Sequence, residues 1–181
     1  MSFISMKPGV QRPEMVDLRN HHINIFMENI QIRQARLDEL PTLLQFEQNL
    51  IAAERPLDDT LISEEFHYYD LEKMIRSDEA EVLVATLDDR LIASGHARIL
   101  EGKPYNSFKR YAFLGFMYTE PDMRGRGINK LIIDALVDWA REKGLEEVRL
   151  QVYSDNSPAV AAYEKVGFKK VLTEMRLATD Q

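Results

Sequence analysis

The sequence predicts an α+β (mixed α/β) domain in which a central mixed, mostly antiparallel twisted sheet is flanked by helices. Three observations lead there. Compact or alternating apolar runs joined by tight turns fill the middle of the chain, the pattern of an antiparallel meander. Further on, the order becomes strand–helix–strand–helix–strand, which calls for a parallel pair joined by a right-handed crossover. The length, 181 residues with 45% hydrophobic, suits one domain with its own core.

Residues 1–28 lack the rhythm of the rest and are read as an N-terminal extension; 29–181 form the domain. The extension holds the pair His21-His22, which without further ligands nearby reads as a surface pair rather than a metal site, so no metal is expected. Asn29 to Arg33 alternates as a short strand. Asp38 is placed to cap a helix, with Pro41 in the first turn, where its missing N–H does no harm. Leu40, Leu43, Leu44 and Leu50 follow at helical spacing, the stripe broken by Glu47, and Pro56 ends that helix. A second helix is expected from Ser63 to about Ser77.

Glu81 to Leu87 is a strand, Asp88-Asp89-Arg90 a turn, and Leu91 to Leu100 the returning strand. Lys109 to Tyr118 makes the next one. Ile128, Leu131, Ile132, Ala135, Leu136, Trp139 and Ala140 then follow the i, i+3, i+4, i+7 pattern of an amphipathic helix, which Gly144 terminates. Val148 to Tyr153 alternates as a strand. Ala159, Ala162, Tyr163 and Val166 set a last helix stopped by Gly167, and a final strand is expected from Phe168.

Bulk chemistry excludes several function classes. The formal net charge is -7, so phosphate-rich partners are repelled and nucleic acid is not expected. Cationic amines would be tolerated. Cysteine is absent, which excludes disulfides, thiolate metal sites and a cysteinyl acyl-enzyme. The start shows no signal-peptide pattern. The longest apolar-aromatic run, Tyr111 to Tyr118, is far short of the ~20 residues that span a bilayer. No membrane association and a cytoplasmic location are therefore expected.

The most informative segment is Pro121-Asp122-Met123-Arg124-Gly125-Arg126-Gly127-Ile128-Asn129-Lys130, between a strand end and a strongly amphipathic helix. Two glycines allow unusual φ values and close approach of a ligand. The first amides of a helix have no intrahelical acceptor, and the helix dipole adds positive character there. A diphosphate would satisfy both. The same residues could also make a plain tight turn with solvated arginines. The dinucleotide fingerprint needs a third glycine where Lys130 stands, and the Walker A pattern is absent.

With that loop and a second block, Val148–Phe168, the chain resembles the GCN5-related N-acetyltransferase (GNAT) superfamily. The family's phosphate motif, Q/R-x-x-G-x-G/A, is met by Arg124 and Gly127, with Asn129 departing from the small final residue. Asn156, Ala159, Tyr163, Gly167 and Phe168 occupy the places of the family's second motif. The two blocks cover about a third of the chain, and the layout of strands and helices extends the likeness over roughly Asn29 to Arg176. The resemblance implies the GNAT fold, with two splayed parallel strands forming an acyl-CoA cleft. It implies acetyl-CoA as acyl donor, bound by Phe116, Met117, Tyr118, Arg124, Gly125, Arg126, Gly127, Ile128, Asn129, Lys130, Asn156, Ala159 and Tyr163.

The reaction so implied is acetyl transfer to a primary amine of a small molecule, peptide or protein, by direct attack in a ternary complex. Tyr163 would protonate the departing thiolate, and a main-chain N–H near Met117 or Tyr118 would face the oxyanion. Spacing alone would equally make Tyr163 a core aromatic. Glu120 is the residue named for the general base, with Glu47, Glu54 and His96 also near the expected acceptor cleft. Glu54 and Asp58 are the residues expected to attract the amine. Relatives often dimerise, so a homodimer is a further expectation. The alternative is a catalytically silent acyl-CoA-binding module.

Overall fold

The structure, a computed structural model, describes residues 29–179; the extension 1–28, with His21 and His22, lies outside the described residues. From Gln31 onward the chain forms one compact unit around a five-stranded sheet in sequence order. Its strands are β1 (Gln31–Gln34), β2 (Ala80–Leu87), β3 (Arg90–Glu101), β4 (Arg110–Thr119) and β5 (Val148–Leu150). The first four pair antiparallel, and β4 pairs β5 parallel. The helices are α1 (Leu40–Glu54), α2 (Leu71–Ile75), α3 (Ile128–Glu142) and α4 (Ser157–Lys165).

Local chemistry accounts for the joints. The β2–β3 hairpin turns on Asp88 and Asp89, both left-handed at φ 49° and 64°, the pattern of a two-residue turn whose twist matches its strands. Asp38 does not cap α1. Instead a short 3-10 turn, Leu37–Glu39, precedes the helix, and the Glu39 carboxylate accepts the Arg36 N–H at 2.8 Å while pairing with Arg33 at 2.6 Å. The longer glutamate reaches back over one more bond, whereas Asp38 remains in solvent beside Arg36.

The second helix is much shorter than the spacing suggests. Only Leu71–Ile75 is helical, capped by Asp70, which accepts the Lys73 N–H at 3.0 Å. Upstream, side chains of α1 and of Arg55, just past its end, take the groups that a helix would use internally. Arg55 donates to the carbonyls of Ile62, Ser63 and Glu64, Gln48 to that of Phe66, and Glu47 accepts the amides of Tyr68 and Tyr69.

Each sheet face carries a core. Ile128, Ile132, Ile133, Leu136 and Ala140 bury the inner stripe of α3, each large apolar side chain contributing about 1.5–3 kcal/mol. The stripe is turned slightly from the expected one, with Leu131, Ala135 and Trp139 half-buried. On the opposite face Leu43, Phe46 and Leu71 pack with Val82, Val84, Phe116 and Tyr118.

Two departures lie at the C-terminal end. β5 stops at Leu150, so the β4–β5 ladder consists of Ala112↔Val148, Phe113↔Arg149 and Leu114↔Leu150, and beyond it β4 is paired with β3 alone. The strand expected from Phe168 does not form: residues 168–179 have no regular structure. Val171, Leu172, Met175 and Leu177 are exposed there.

Candidate active site

β4 is not a regular strand. Ser94 pairs with Tyr118 and His96 with Gly115, so Gly95 alone opposes both Phe116 and Met117. This is a β-bulge, and Phe116 takes its left-handed residue at φ 55°. For a phenylalanine that conformation costs roughly 1–2 kcal/mol. The surroundings hold it: the ring is buried, the Phe116 N–H donates to Tyr69 Oη at 3.1 Å, and Ser94 Oγ donates to the Phe116 carbonyl at 3.2 Å.

Past the bulge, the Glu120 N–H donates to Ile92 at 2.9 Å. By strand alternation the main-chain groups of Tyr118 face β3, and those of Met117 and Thr119 face the gap where β4 and β5 part. The Thr119 carbonyl confirms this sense, since it accepts from Arg124 Nε at 3.0 Å rather than from β3. Of the three strand residues expected at the cofactor, only Met117 therefore offers its backbone to the gap. Phe116 is occupied by Tyr69 and Ser94, and Tyr118 by β3.

β4 runs through a 3-10 turn, Pro121–Met123, into the glycine loop. Gly125 and Gly127 sit at φ 75° and 84°, and Gly127 is the N-cap of α3 with no side chain capping it. The amides of Ile128 and Asn129 accordingly have no intrahelical acceptor. Ile128 is buried and anchors the turn, Asn129 is half-buried, and Arg124, Gly125, Arg126 and Gly127 are exposed. The Lys130 amide is spent on the Gly127 carbonyl at 3.1 Å, and its ammonium pairs with Asp134 at 2.5 Å. The loop is braced from behind: Arg90, at the start of β3, pairs with Asp122 at 2.9 Å and holds that carboxyl below its ordinary range. An uncapped helix end flanked by two arginines can take a phosphate group.

Across the gap, Asn156 caps α4, its side-chain oxygen accepting the Ala159 N–H at 3.3 Å. Tyr163 lies one helical turn beyond Ala159. Its ring is half-buried and packs edge-on against Phe168, with centroids 6.1 Å apart. Its hydroxyl is pushed up to about 12, first by burial and then by the negative field of Glu54 and by Tyr69. The phenol therefore keeps its proton at neutral pH.

The acidic candidates separate clearly. Glu54, at the end of α1, is half-buried, and burial raises its pKa against an opposing contribution from Tyr68. The Tyr68 hydroxyl is itself buried without a well-formed hydrogen bond, although Glu54 and Tyr153 bear on it electrostatically. Asp58 is a structural node and not a waiting carboxylate. It accepts from Thr60 Oγ1 at 2.6 Å, Arg176 at 2.9 Å and Tyr153 Oη at 3.3 Å, which hold it down at about 2. Glu120 accepts the Tyr118 hydroxyl at 3.0 Å and lies 3.9 Å from Arg90.

Two other candidate bases lie inside the fold. His96 is fully buried, burial lowers it to about 3, and neither ring nitrogen has a hydrogen-bond partner. Glu47 is equally buried but fully engaged by the amides of Tyr68 and Tyr69, at 2.8 and 2.9 Å, and by His67 Nδ1 at 2.5 Å. Sequence reasoning left Tyr68, Tyr69 and Tyr153 out of the site. The only signal for them was indirect: a carboxylate interrupting the apolar stripe of α1, which in a folded protein asks for buried donors.

Comparison with known proteins agrees with this layout. The profile of the acetyltransferase (GNAT) family matches residues 44–168. Among curated proteins, a mycothiol acetyltransferase of Saccharomonospora viridis is 42% identical over 60 residues, which are 33% of this chain and 20% of that protein. The chain thus spans about a fifth of that relative's length. Among solved structures, a predicted acetyltransferase with acetyl-CoA from Clostridium acetobutylicum superposes with a TM-score of 0.62 at 21% identity, covering 82% of this chain and 96% of that one. An aminoglycoside N-acetyltransferase in complex with CoA gives 0.64 at 19% identity, covering 83% and 100%. At these identities the structural likeness speaks for the fold.

Proposed function

This chain belongs to the acetyltransferase (GNAT) family, and on that premise we propose that it transfers an acetyl group from acetyl-CoA to a primary amine. The acceptor is an amine of a small molecule, peptide or protein, and the nitrogen attacks directly in a ternary complex. One observation carries the reading: the open main-chain edge of β4 at Met117 leads, within one short turn, to the uncapped N-terminus of α3. An extended pantetheine arm can pair with the first as an added strand does, while its pyrophosphate meets the second.

In this proposal the amides of Ile128 and Asn129 take the pyrophosphate, Gly125 and Gly127 let it approach, and Arg124, Arg126 and Lys130 supply positive charge. Met117 offers its N–H to the thioester oxygen. Asn156 and Ala159 line the opposite wall. The amine nitrogen attacks the carbonyl carbon, the C–S bond breaks, and Tyr163 gives its proton to the thiolate. We assign the proton lost by the amine to Glu54 in place of Glu120. Burial already favours protonation of Glu54, whose field reaches the Tyr163 hydroxyl, whereas Glu120 is held by Tyr118. A cytoplasmic location and a homodimer belong to the same proposal; sedimentation of the purified chain reads the second directly. Among the described residues no helix is long and apolar enough to cross a membrane.

The test is release of CoA from acetyl-CoA, followed with a thiol reagent across amines, polyamines, aminoglycosides, amino acids and peptides. The chain contains no cysteine and so adds no background. Amine-dependent release above the hydrolysis blank supports the transferase. Silence across the panel together with calorimetric binding of acetyl-CoA would favour the silent module. Silence without binding would overturn the reading.

A further inference from the structure

Two hydroxyls hold the β4 bulge, Ser94 on the Phe116 carbonyl and Tyr69 on the Phe116 N–H. The Tyr69 backbone is fixed by the buried Glu47 carboxylate, which accepts the Tyr69 N–H at 2.9 Å. Its ring stands edge-on to His96, centroids 4.6 Å apart, and tilts against Phe116 at 5.8 Å. Gly115 leaves room for it: a Cβ there would lie 3.2 Å from Tyr69 Oη and 2.9 Å from His96 Nε2. The Tyr69 oxygen accepts the Phe116 N–H at 3.1 Å, so its position on the strand is set. Its own proton is still unspent, since no described residue accepts it.

The bulge stands two residues past the last β4–β5 pair, Leu114↔Leu150, at the mouth of the gap. In the acetyl-CoA reading Tyr163 faces the thioester sulfur, and Tyr69 is among the groups whose field raises it. The carbonyl of a thioester is one bond from its sulfur. A hydroxyl held on the Phe116 N–H, two residues past the last β4–β5 pair, is therefore placed to meet the carbonyl oxygen of a thioester bound in that gap.

We propose that Tyr69 is a second hydroxyl donor of the reaction, giving a hydrogen bond to the thioester carbonyl oxygen as negative charge builds on it. This rests on the acetyl-CoA reading above. No bond to Tyr69 forms or breaks and its proton is not transferred; the amine's proton leaves by the route already given. By accepting from Phe116, the phenol oxygen also strengthens its own donor, as linked hydrogen bonds do. The two clamps on Phe116 then differ in kind. Ser94 only holds the bulge, whereas Tyr69 holds it and also meets the substrate.

The test needs no knowledge of the acceptor. Acetyl-CoA carrying ¹³C at its carbonyl is bound to the wild type, to Tyr69→Phe and to Ser94→Ala, and its carbonyl stretch is read by isotope-edited infrared spectroscopy. Calorimetry compares acetyl-CoA with S-ethyl-CoA, which has no carbonyl, and thermal melts check folding. The stretch is expected to fall below its value in water in the wild type and in Ser94→Ala, and to return most of the way in Tyr69→Phe. Tyr69→Phe should lose about fivefold in affinity for acetyl-CoA, the scale of one neutral hydrogen bond, with S-ethyl-CoA unchanged. An unshifted stretch in Tyr69→Phe, or the same change in Ser94→Ala, would overturn the donor role. If neither ligand bound the wild type, the acetyl-CoA reading itself would fall.

Discussion

Glu47 and Tyr69 are joined through the backbone. The Glu47 carboxylate accepts the Tyr69 amide at 2.9 Å while the Tyr69 hydroxyl accepts the Phe116 amide at 3.1 Å. Helix α1 is thereby tied to the bulge in β4 across a single residue. Glu47 also takes the Tyr68 amide and His67 Nδ1 and is fully buried. Its removal leaves buried donors unsatisfied and a void behind them. Glu47→Ala should cost about 3–5 kcal/mol in urea unfolding, and Glu47→Gln, which keeps one carbonyl oxygen for the two amides, distinctly less. Equal losses would mean that the hydrogen bonds carry little of the effect.

Gly127 bears the loop's conformation. At φ 84° an alanine is strained by roughly 1–2 kcal/mol, and the amides of Ile128 and Asn129 shift with it. Gly127→Ala is expected to weaken acetyl-CoA binding about tenfold by calorimetry while lowering stability only slightly. Unchanged affinity would move the pyrophosphate away from this loop.

Tyr163→Phe keeps the contact with Phe168 and removes the proton. Turnover should fall roughly 10²-fold, the scale of general acid catalysis, with acetyl-CoA affinity held within about twofold. The phenol at about 12 also sets a pH expectation. Its folded pKa lies above the ordinary 10.0, so its contribution to stability is complete below pH 10 and is lost as pH rises from 10 towards 12. A general acid that stays protonated to such pH gives no alkaline fall in rate below pH 10. A fall near pH 8 that Tyr163→Phe abolished would contradict that assignment.

His96 sets the behaviour in acid. Burial lowers it to about 3 from 6.5, so the unfolded chain binds a proton that the folded chain refuses. Its contribution is present above pH 6.5 and is lost as pH falls towards 3, at most by about 1.4 kcal/mol per pH unit. Between pH 6.5 and 4, urea unfolding of His96→Leu should therefore depend less on pH than that of the wild type. Identical slopes would show that the imidazole can be protonated in place.

What could be read from the sequence was what short-range spacing determines. The glycine loop, the stripe of α3 and the Asn156–Tyr163 block each depend on residues within a dozen positions, and their order along the chain is enough to identify them. The stretch before α2 misled because its backbone is claimed by Glu47, Gln48 and Arg55, side chains more than a turn away in a different element. The bulge was equally hidden. Nothing local to Phe116 announces a left-handed residue; Ser94 and Tyr69, which hold it there, lie 22 and 47 positions away. Asp58 looked available because its partner Arg176 is 118 positions distant.

The two ends of the sheet carry unequal risk of self-association. β1 is short and polar, Gln-Ile-Arg-Gln, and offers another chain little to add to. At the other edge β5 is only Val148–Leu150, and the C-terminal run exposes Val171, Leu172, Met175 and Leu177 to water. Unpaired backbone beside apolar side chains is the combination from which intermolecular strands grow. A charge introduced at Leu172 or Leu177 should therefore lower self-association, as light scattering of the concentrated protein would read.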